Sequence, residues 1–373
     1  MATRKWKFQC GTNAITFVVI GLSCTLFAHG ASFQGLGGVN VQGVSADGLY
    51  VVGSRSGPEA FRWTAGWGFV GLGAFPSSTP NSHGVGVSAD GAVVAGYSLR
   101  ASGFEAFRWT EGGGMVGLGE LPGGIFQSFS FAVSANGSVV VGYSSSDNGR
   151  EAFRWQGGMD GLGDLAQNRF ESAAYAVSAD GSVIVGYGYS ASGPEAFRWT
   201  LGGGMVGLGA PDQNRFESRA SGVSTDGTII VGYAFYPSSG VNGLFQPFLW
   251  TQAGGMVKLG DLPSGVLTTY APAVLISGNG AVVVGNSWPY GAPFIWDAGN
   301  GIRNLRDILV GYNLDLSDWT LTRVTGISHD GLTIVGNGVR TGSGATEGWI
   351  ARFGSERLRP SWPGIRLPPP KRG

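Results

Sequence analysis

Apolar residues along this chain arrive in bursts of three or four, such as Val139-Val140-Val141 and Ile229-Ile230-Val231, each preceded by Asp-Gly or Asn-Gly and followed by glycine. Runs this short and bounded in this way predict buried strands rather than helices. Farther along, strict alternation takes over. In Ala60-Phe61-Arg62-Trp63 a period of two sends Phe61 and Trp63 to one side of a strand and Ala60 and Arg62 to the other. The intervening Asp-Gly and Asn-Gly pairs supply a positive φ and a side-chain acceptor, which is the chemistry of a tight hairpin. No helical apolar period is sustained anywhere, so the pattern predicts an all-β chain without helices.

The pattern recurs seven times at a spacing of about 45 residues, the size of one four-stranded propeller blade. Its first part, Val44-Ser45-Ala46-Asp47-Gly48 followed by Tyr50-Val51-Val52-Gly53, returns at 87–96, 133–142, 177–186, 223–232, 276–285 and 327–336. Its second, Glu59-Ala60-Phe61-Arg62-Trp63, is echoed six more times, ending at Glu347 to Ala351. Its third, Phe69-Val70-Gly71-Leu72-Gly73, follows only six of the seven second parts, the last in decayed form at Ile302 to Leu305. The missing copy stands at the other end, as Phe33-Gln34-Gly35-Leu36-Gly37. An open stack would leave an unpaired strand at each end, whereas a permuted third motif lets the N-terminal strand complete the last blade. The expected fold is therefore a seven-bladed β-propeller closed by an N-terminal strand in the last blade.

Within a blade, strand A ends at Val-Ser, strand B is Val-Val-Gly-Tyr, strand C is Glu-Ala-Phe-Arg-Trp and strand D is Met-Val-Gly-Leu-Gly. The repeated Phe and Trp of strand C read as packing between neighbouring blades, each ring worth roughly 2 to 3 kcal/mol on burial. Glu59, Glu105, Glu151 and Glu195 each precede an arginine three residues on, while Gln246 and Ala292 precede Leu249 and Ile295; only Glu347 with Ile350 breaks the rule. The two positions fall on opposite strand faces, so the expectation is a Glu–Arg ladder between adjacent blades.

Composition places the chain outside the cell. Residues 1–30 carry Arg4, Lys5 and Lys7, then an apolar run from Ala14 to Ala28 and a small-residue stretch, the layout of a secretory signal peptide; an uncleaved membrane anchor would need a longer apolar span. Cys24 suggests a lipoprotein, but Gly21 stands where such a signal wants a branched apolar residue. Both cysteines, Cys10 and Cys24, lie in that segment, leaving the mature domain without disulfide or thiol chemistry. Residues 31–351 hold 15 Lys and Arg against 23 Asp and Glu, a balance of −8. Such a ring is a poor surface for nucleic acid or anionic lipid. The domain is expected to span 31–352, followed by a basic, proline-rich, solvated tail at 353–373.

Catalytic and metal chemistry find little purchase. The mature chain has two histidines, His83 in an inter-blade loop with no partner by spacing and His329 in a turn, which is too few for a zinc or copper site. No nucleophile elbow or phosphate-binding loop occurs, and the Asp-Gly turns lack the alternating oxygen ligands of a calcium loop. The acids Asp307, Asp315 and Asp318 cluster in one long loop near Trp319 and support the competing reading, a propeller enzyme acting on extracellular polysaccharide. The main expectation is no enzyme, no cofactor and no metal.

The phrases Val-Ser-Ala-Asp-Gly, Val-Val-Val-Gly-Tyr, Glu-Ala-Phe-Arg-Trp, Gly-Gly-Met-Val and Leu-Gly-Asp-Leu-Pro resemble the HAF family of bacterial extracellular repeat proteins across nearly the whole mature chain. The resemblance implies fold and a secreted or cell-surface location, and carries no catalytic residue. Function is expected on the variable loops, since the A–B and C–D turns barely change between copies while the B–C and D–A connections do. On that side Trp288, Tyr290, Trp319 and Tyr236 are the candidate ligand-binding residues, able to stack on sugar rings. The expected protein is a monomeric, non-enzymatic binding or surface-structural propeller with an extracellular glycan or protein ligand.

Overall fold

The computed structural model describes residues 30–165, 169–212, 216–238, 241–261, 274–287 and 292–354. The signal segment, the loop bearing Trp288 and Tyr290, and the tail beyond residue 354 lie outside them. Phe353, assigned by sequence to the tail, is 6% exposed and belongs to the core beside Tyr312.

Seven four-stranded antiparallel sheets follow one another, each in the order A-B-C-D. Blade 1 comprises Val39–Val44, Val51–Arg55, Ala60–Thr64 and Gly68–Gly71. Blade 7 takes A, B and C from Trp319–Ile327, Thr333–Arg340 and Thr346–Arg352, and its outer strand is Ser32–Gly37, pairing Phe33 with Ala351 and Gly35 with Trp349. The closing strand brings Phe33 onto the rings of Trp319 (5.3 Å) and Trp349 (5.9 Å), a cluster that seals the last blade.

The alternation of strand C has the packing consequence the sequence implies. Phe61 and Trp63 are buried with Val335 and Ile350 of blade 7, whereas Ala60 faces Val94, Phe107 and Trp109 of blade 2. Each hairpin between A and B is wired the same way. The Ser88 hydroxyl donates to Asp90 (2.8 Å) and accepts from the Val93 N–H, while Asp90 accepts from the Ala92 N–H. A positive φ at Gly91 completes the turn.

The Glu–Arg ladder does not form. Each glutamate instead serves its own blade: Glu105, Glu151 and Glu195 accept from the N–H of Gly119, Gly163 and Gly209 at 2.9 to 3.0 Å. A Cβ on Gly117, Gly161 or Gly207 would lie 2.1 to 2.2 Å from those carboxylates. Glutamate therefore pairs with the first glycine of Gly-Leu-Gly, and the rule has no exception: Glu347 has Gly35, while Gln246 and Ala292 have Lys258 and Asn304. Two of the arginines cross to the next blade, Arg62 to the Gly91 carbonyl (3.0 Å) and Arg108 to that of Gly137 (2.9 Å), and farther along strand C of blade 7 Arg352 reaches that of Gly48 (3.3 Å); Arg154 turns to Gln156 of its own blade.

One short helix, Leu305–Gly311, interrupts the all-β pattern. Asn304 caps it by accepting from the Arg306 N–H, and Leu305 and Leu309 are buried among Ile295, Leu316 and Trp319. Two turns are too brief for a 3.6-residue period to stand out in the sequence.

Candidate functional site

The A strands of all seven blades surround an axial cavity of about 630 Å³. Its floor, at the A–B turns, is narrowed by backbone hydrogen bonds from blade to blade: Ala89 to Ala135, Ala135 to Ala179, Ala179 to Thr225 and Thr225 to Gly278, then Asn279 to His329 and His329 to Ala46, all 2.9 to 3.1 Å. Above it stands an apolar layer of valine and isoleucine, including Val44, Val133 and Ile327.

Every A strand except that of blade 6 then breaks register at one shared position, where a single residue has no partner on strand B; the A strands of blades 3 and 7 carry a second break nearer their start. Those residues are Gln42, Val85, Phe131, Tyr175, Ser221 and Thr325, and the bulge turns each toward the axis as cavity lining. The layer is two-sided. Phe131 and Tyr175 make an aromatic wall, while Gln42, Ser221 and Thr325 make a polar one. The Thr325 hydroxyl is buried and has no hydrogen-bond partner among the described residues.

Two residues before each bulge, at the mouth, strand A pairs with the residue that follows the strand B glycine: His83 with Tyr97, Phe129 with Tyr143, Ala173 with Tyr187, Arg219 with Tyr233 and Arg323 with Asn337. Rings join across blades 2 to 4 into one arc. Tyr97 meets Phe129 at 4.9 Å, Phe129 meets Tyr143 at 5.1 Å, Phe131 bridges Tyr143 and Tyr175, and Tyr175 stacks on Tyr187 at 5.8 Å. Cations cover it from above, Arg150 over Tyr143 at 4.5 Å and Arg219 over Tyr187 at 4.3 Å.

Polar partners hold these rings in place. The Tyr187 hydroxyl donates to Glu171 (2.8 Å) and accepts from Arg150 (3.4 Å); burial, helped by Tyr175 and Glu171, pushes its pKa up. Asp164 accepts from the N–H groups of Leu165, Tyr189 and Glu171, yet burial raises its pKa. His83 lies in strand A of blade 2, not in a loop; it stacks on Tyr97 at 4.9 Å, its Nδ1 is 3.1 Å from the Ser54 hydroxyl, and burial lowers its pKa.

Of the sequence candidates, Trp319 is 7% exposed and packed into the closing cluster, so its ring is core and not a presented platform. Tyr236 is partly buried against the core between blades 4 and 5, with a buried hydroxyl that has no hydrogen-bond partner among the described residues. Trp288 and Tyr290 lie outside the described residues. Asp307, Asp315 and Asp318 are exposed, Asp307 in the first helical turn and Asp315 accepting from the Ser317 N–H (2.9 Å). No group of three metal-ligating side chains occurs among the described residues, and no helix there is long and apolar enough to cross a membrane. Sequence reasoning missed the mouth tyrosines because Tyr97, Tyr143, Tyr187 and Tyr233 sit inside the repeat and read as strand. Their signal was the change to Ser54, Asn286 and Asn337 in the other blades.

The sequence matches no protein-family model and no curated protein. Solved structures share the fold. An oligogalacturonate lyase from Vibrio parahaemolyticus is 9% identical with a TM-score of 0.55, over 87% of this chain and 97% of that one. The β-propeller domain of the Trilobed protease from Pyrococcus furiosus, described as having an open velcro topology, is 10% identical with a TM-score of 0.54, over 84% and 93%. TolB from Acinetobacter baumannii is 11% identical with a TM-score of 0.44, and this chain spans 63% of its length. At these identities the likeness to the lyase and to the protease domain shows a β-propeller and nothing about the site.

Proposed function

We propose that the protein is an exported, non-enzymatic recognition propeller of the HAF type, monomeric, which takes an extracellular glycan or protein ligand at the channel mouth. The observation that carries this is the mouth itself: a cavity of ligand size on the ring axis, walled by aromatic rings on one side and amide and hydroxyl groups on the other. Aromatic faces fixed by neighbouring rings and hydrogen bonds lose little conformational freedom on binding, which suits recognition. Export rests on the layout of residues 1–30, and the HAF assignment on the repeated phrases.

The three acids of the competing reading are exposed, Asp307 in the first turn of the helix and Asp315 and Asp318 in the segment after it, and none of them lines the axial cavity. The likeness to a lyase propeller brings only the fold. A glycan array read alongside a turnover assay tests the proposal. Expected is retention of one glycan class, lost on Tyr175→Ala and unaccompanied by product. Cleavage, or retention untouched by Tyr175→Ala and Phe131→Ala, overturns it.

A further inference from the structure

The ring is acidic, yet no Asp or Glu lines its axial cavity. The charged side chains that line the cavity are Arg219 and Arg323, at the same structural position in blades 5 and 7, each two residues before the bulge, while Arg150 and Glu171 pair on the rim over Tyr143 and Tyr187. Arg219 has Glu217 at 3.9 Å and lies over Tyr187. Arg323 is exposed and makes no side-chain hydrogen bond or ion pair among the described residues. The internal segments outside the description, 166–168, 213–215, 239–240, 262–273 and 288–291, contain no Asp or Glu, so none of them brings an acid to Arg323.

Resting on the recognition reading above, we infer that the mouth selects an acidic polysaccharide, a pyranose chain bearing uronate carboxylates. Such a ligand has three features, and the mouth has a counterpart for each. Its apolar ring face stacks on Tyr175 and Phe131. Its carboxylate takes the planar guanidinium of Arg323 in a paired, charge-assisted contact. Its hydroxyls reach the Gln42 amide on the polar wall. A neutral glycan leaves Arg323 without a counter-charge.

Affinity electrophoresis of the mature chain in gels containing polygalacturonate, its carboxyl-reduced neutral counterpart, dextran sulfate or polyphosphate tests the inference. Expected is retardation by polygalacturonate alone, weakened at least tenfold by Arg323→Ala and by Tyr175→Ala, and partly kept by Arg323→Lys. Circular dichroism melts of the variants guard against misfolding, since Arg323 is exposed and its replacement should leave the melt unchanged. Equal retardation by the neutral polymer, lost on Tyr175→Ala but not on Arg323→Ala, overturns acidic selection and leaves the recognition reading standing. Equal retardation by dextran sulfate or polyphosphate, or by no polymer, overturns the inference as well. Shortening of polygalacturonate with Arg323-dependent binding intact sustains the inference and overturns only the non-enzymatic reading.

Discussion

At the residue after the strand B glycine, blades 2 to 5 place tyrosine and blades 6 and 7 place asparagine, and the two halves of the ring use that position for opposite ends. Asn337 donates to the Val41 carbonyl (2.9 Å) and accepts from its N–H (2.8 Å), and Asn286 clasps Val324 in the same way at 3.1 and 2.7 Å. Those side chains hold one blade to the next. Between blades 1 and 5 the same task falls to a buried serine at the start of strand A. Ser128, for example, accepts from the Ala106 N–H and donates to the Gly119 carbonyl, and Ser82, Ser172 and Ser218 repeat the arrangement. In blade 6 Pro293 stands where that alanine would be and has no N–H to give. Where serine holds the interface, the strand B position is released, and in blades 2 to 4 it carries a tyrosine to the mouth.

The largest effect should come from the seam, which lies within the asparagine half. Deleting residues 31–38 exposes the edge at Thr346–Arg352 and the rings of Trp319 and Trp349. A fall in melting temperature of more than about 10 °C is expected, with Phe33→Ala alone costing about 3 kcal/mol. An unchanged melt would mean that the ring does not depend on closure.

A reciprocal exchange then tests the division of labour. Asn337→Tyr strands the Val41 N–H and carbonyl in a buried site and overfills it, for an expected loss of about 3 kcal/mol or more. Tyr143→Asn removes half-buried ring contacts at the mouth but no blade-to-blade hydrogen bond, for about 1 kcal/mol. Urea titrations of the two variants should differ accordingly. Equal losses would show that both halves are structural.

Much of this was legible in the sequence, and the reason is repetition. Backbone rules such as the Asp-Gly turn and the strand C alternation act locally, so seven copies made blade number, strand order and closure readable from Phe33 to Gly37. The mouth of the cavity lies on the B–C and D–A side, the side on which the sequence places its expected function. The site residues were not legible. Trp319 looks like a loop aromatic until Phe33, nearly 300 positions away, covers it. The bulge that turns Phe131 and Tyr175 inward is a register shift, which alternation alone cannot reveal. The glutamate was credited with the wrong partner because arginine lies three residues away and the true partner, glycine, carries no charge to attract notice.

That last point gives a prediction smaller than the exchange. Gly117→Lys should cost about 1 to 3 kcal/mol by pressing a Cβ into the Glu105 carboxylate. Adding Glu105→Gln recreates the Gln246 and Lys258 pair of blade 5 and should recover part of the loss. A double-mutant cycle by thermal melts reads the coupling, and additivity would refute the glutamate–glycine rule.

The smallest effect separates the two faces by pH. On the turn face, Asp90 is held below the usual carboxylate range by the Ala92 N–H and the Ser88 hydroxyl, and Asp180 by the Ser178 hydroxyl and the Ser182 N–H. A depressed folded pKa means stability that is present above the unfolded value of about 3.9 and is lost as pH falls through the lower folded value. On the mouth side, Asp164 is shifted the other way, so protonating it removes a burial cost and opposes that loss. Asparagine already fills the turn position at Asn136 and Asn279, accepting the same N–H groups of Ser138 and Ala281. Asp90→Asn with Asp180→Asn should therefore keep the turns, change stability at pH 7 by no more than about 0.5 kcal/mol each, and flatten the decline below about pH 4. Melts of the double variant from pH 7 to pH 2.5 check this, and a decline as steep as that of the parent would place the acid-sensitive groups elsewhere in the ring.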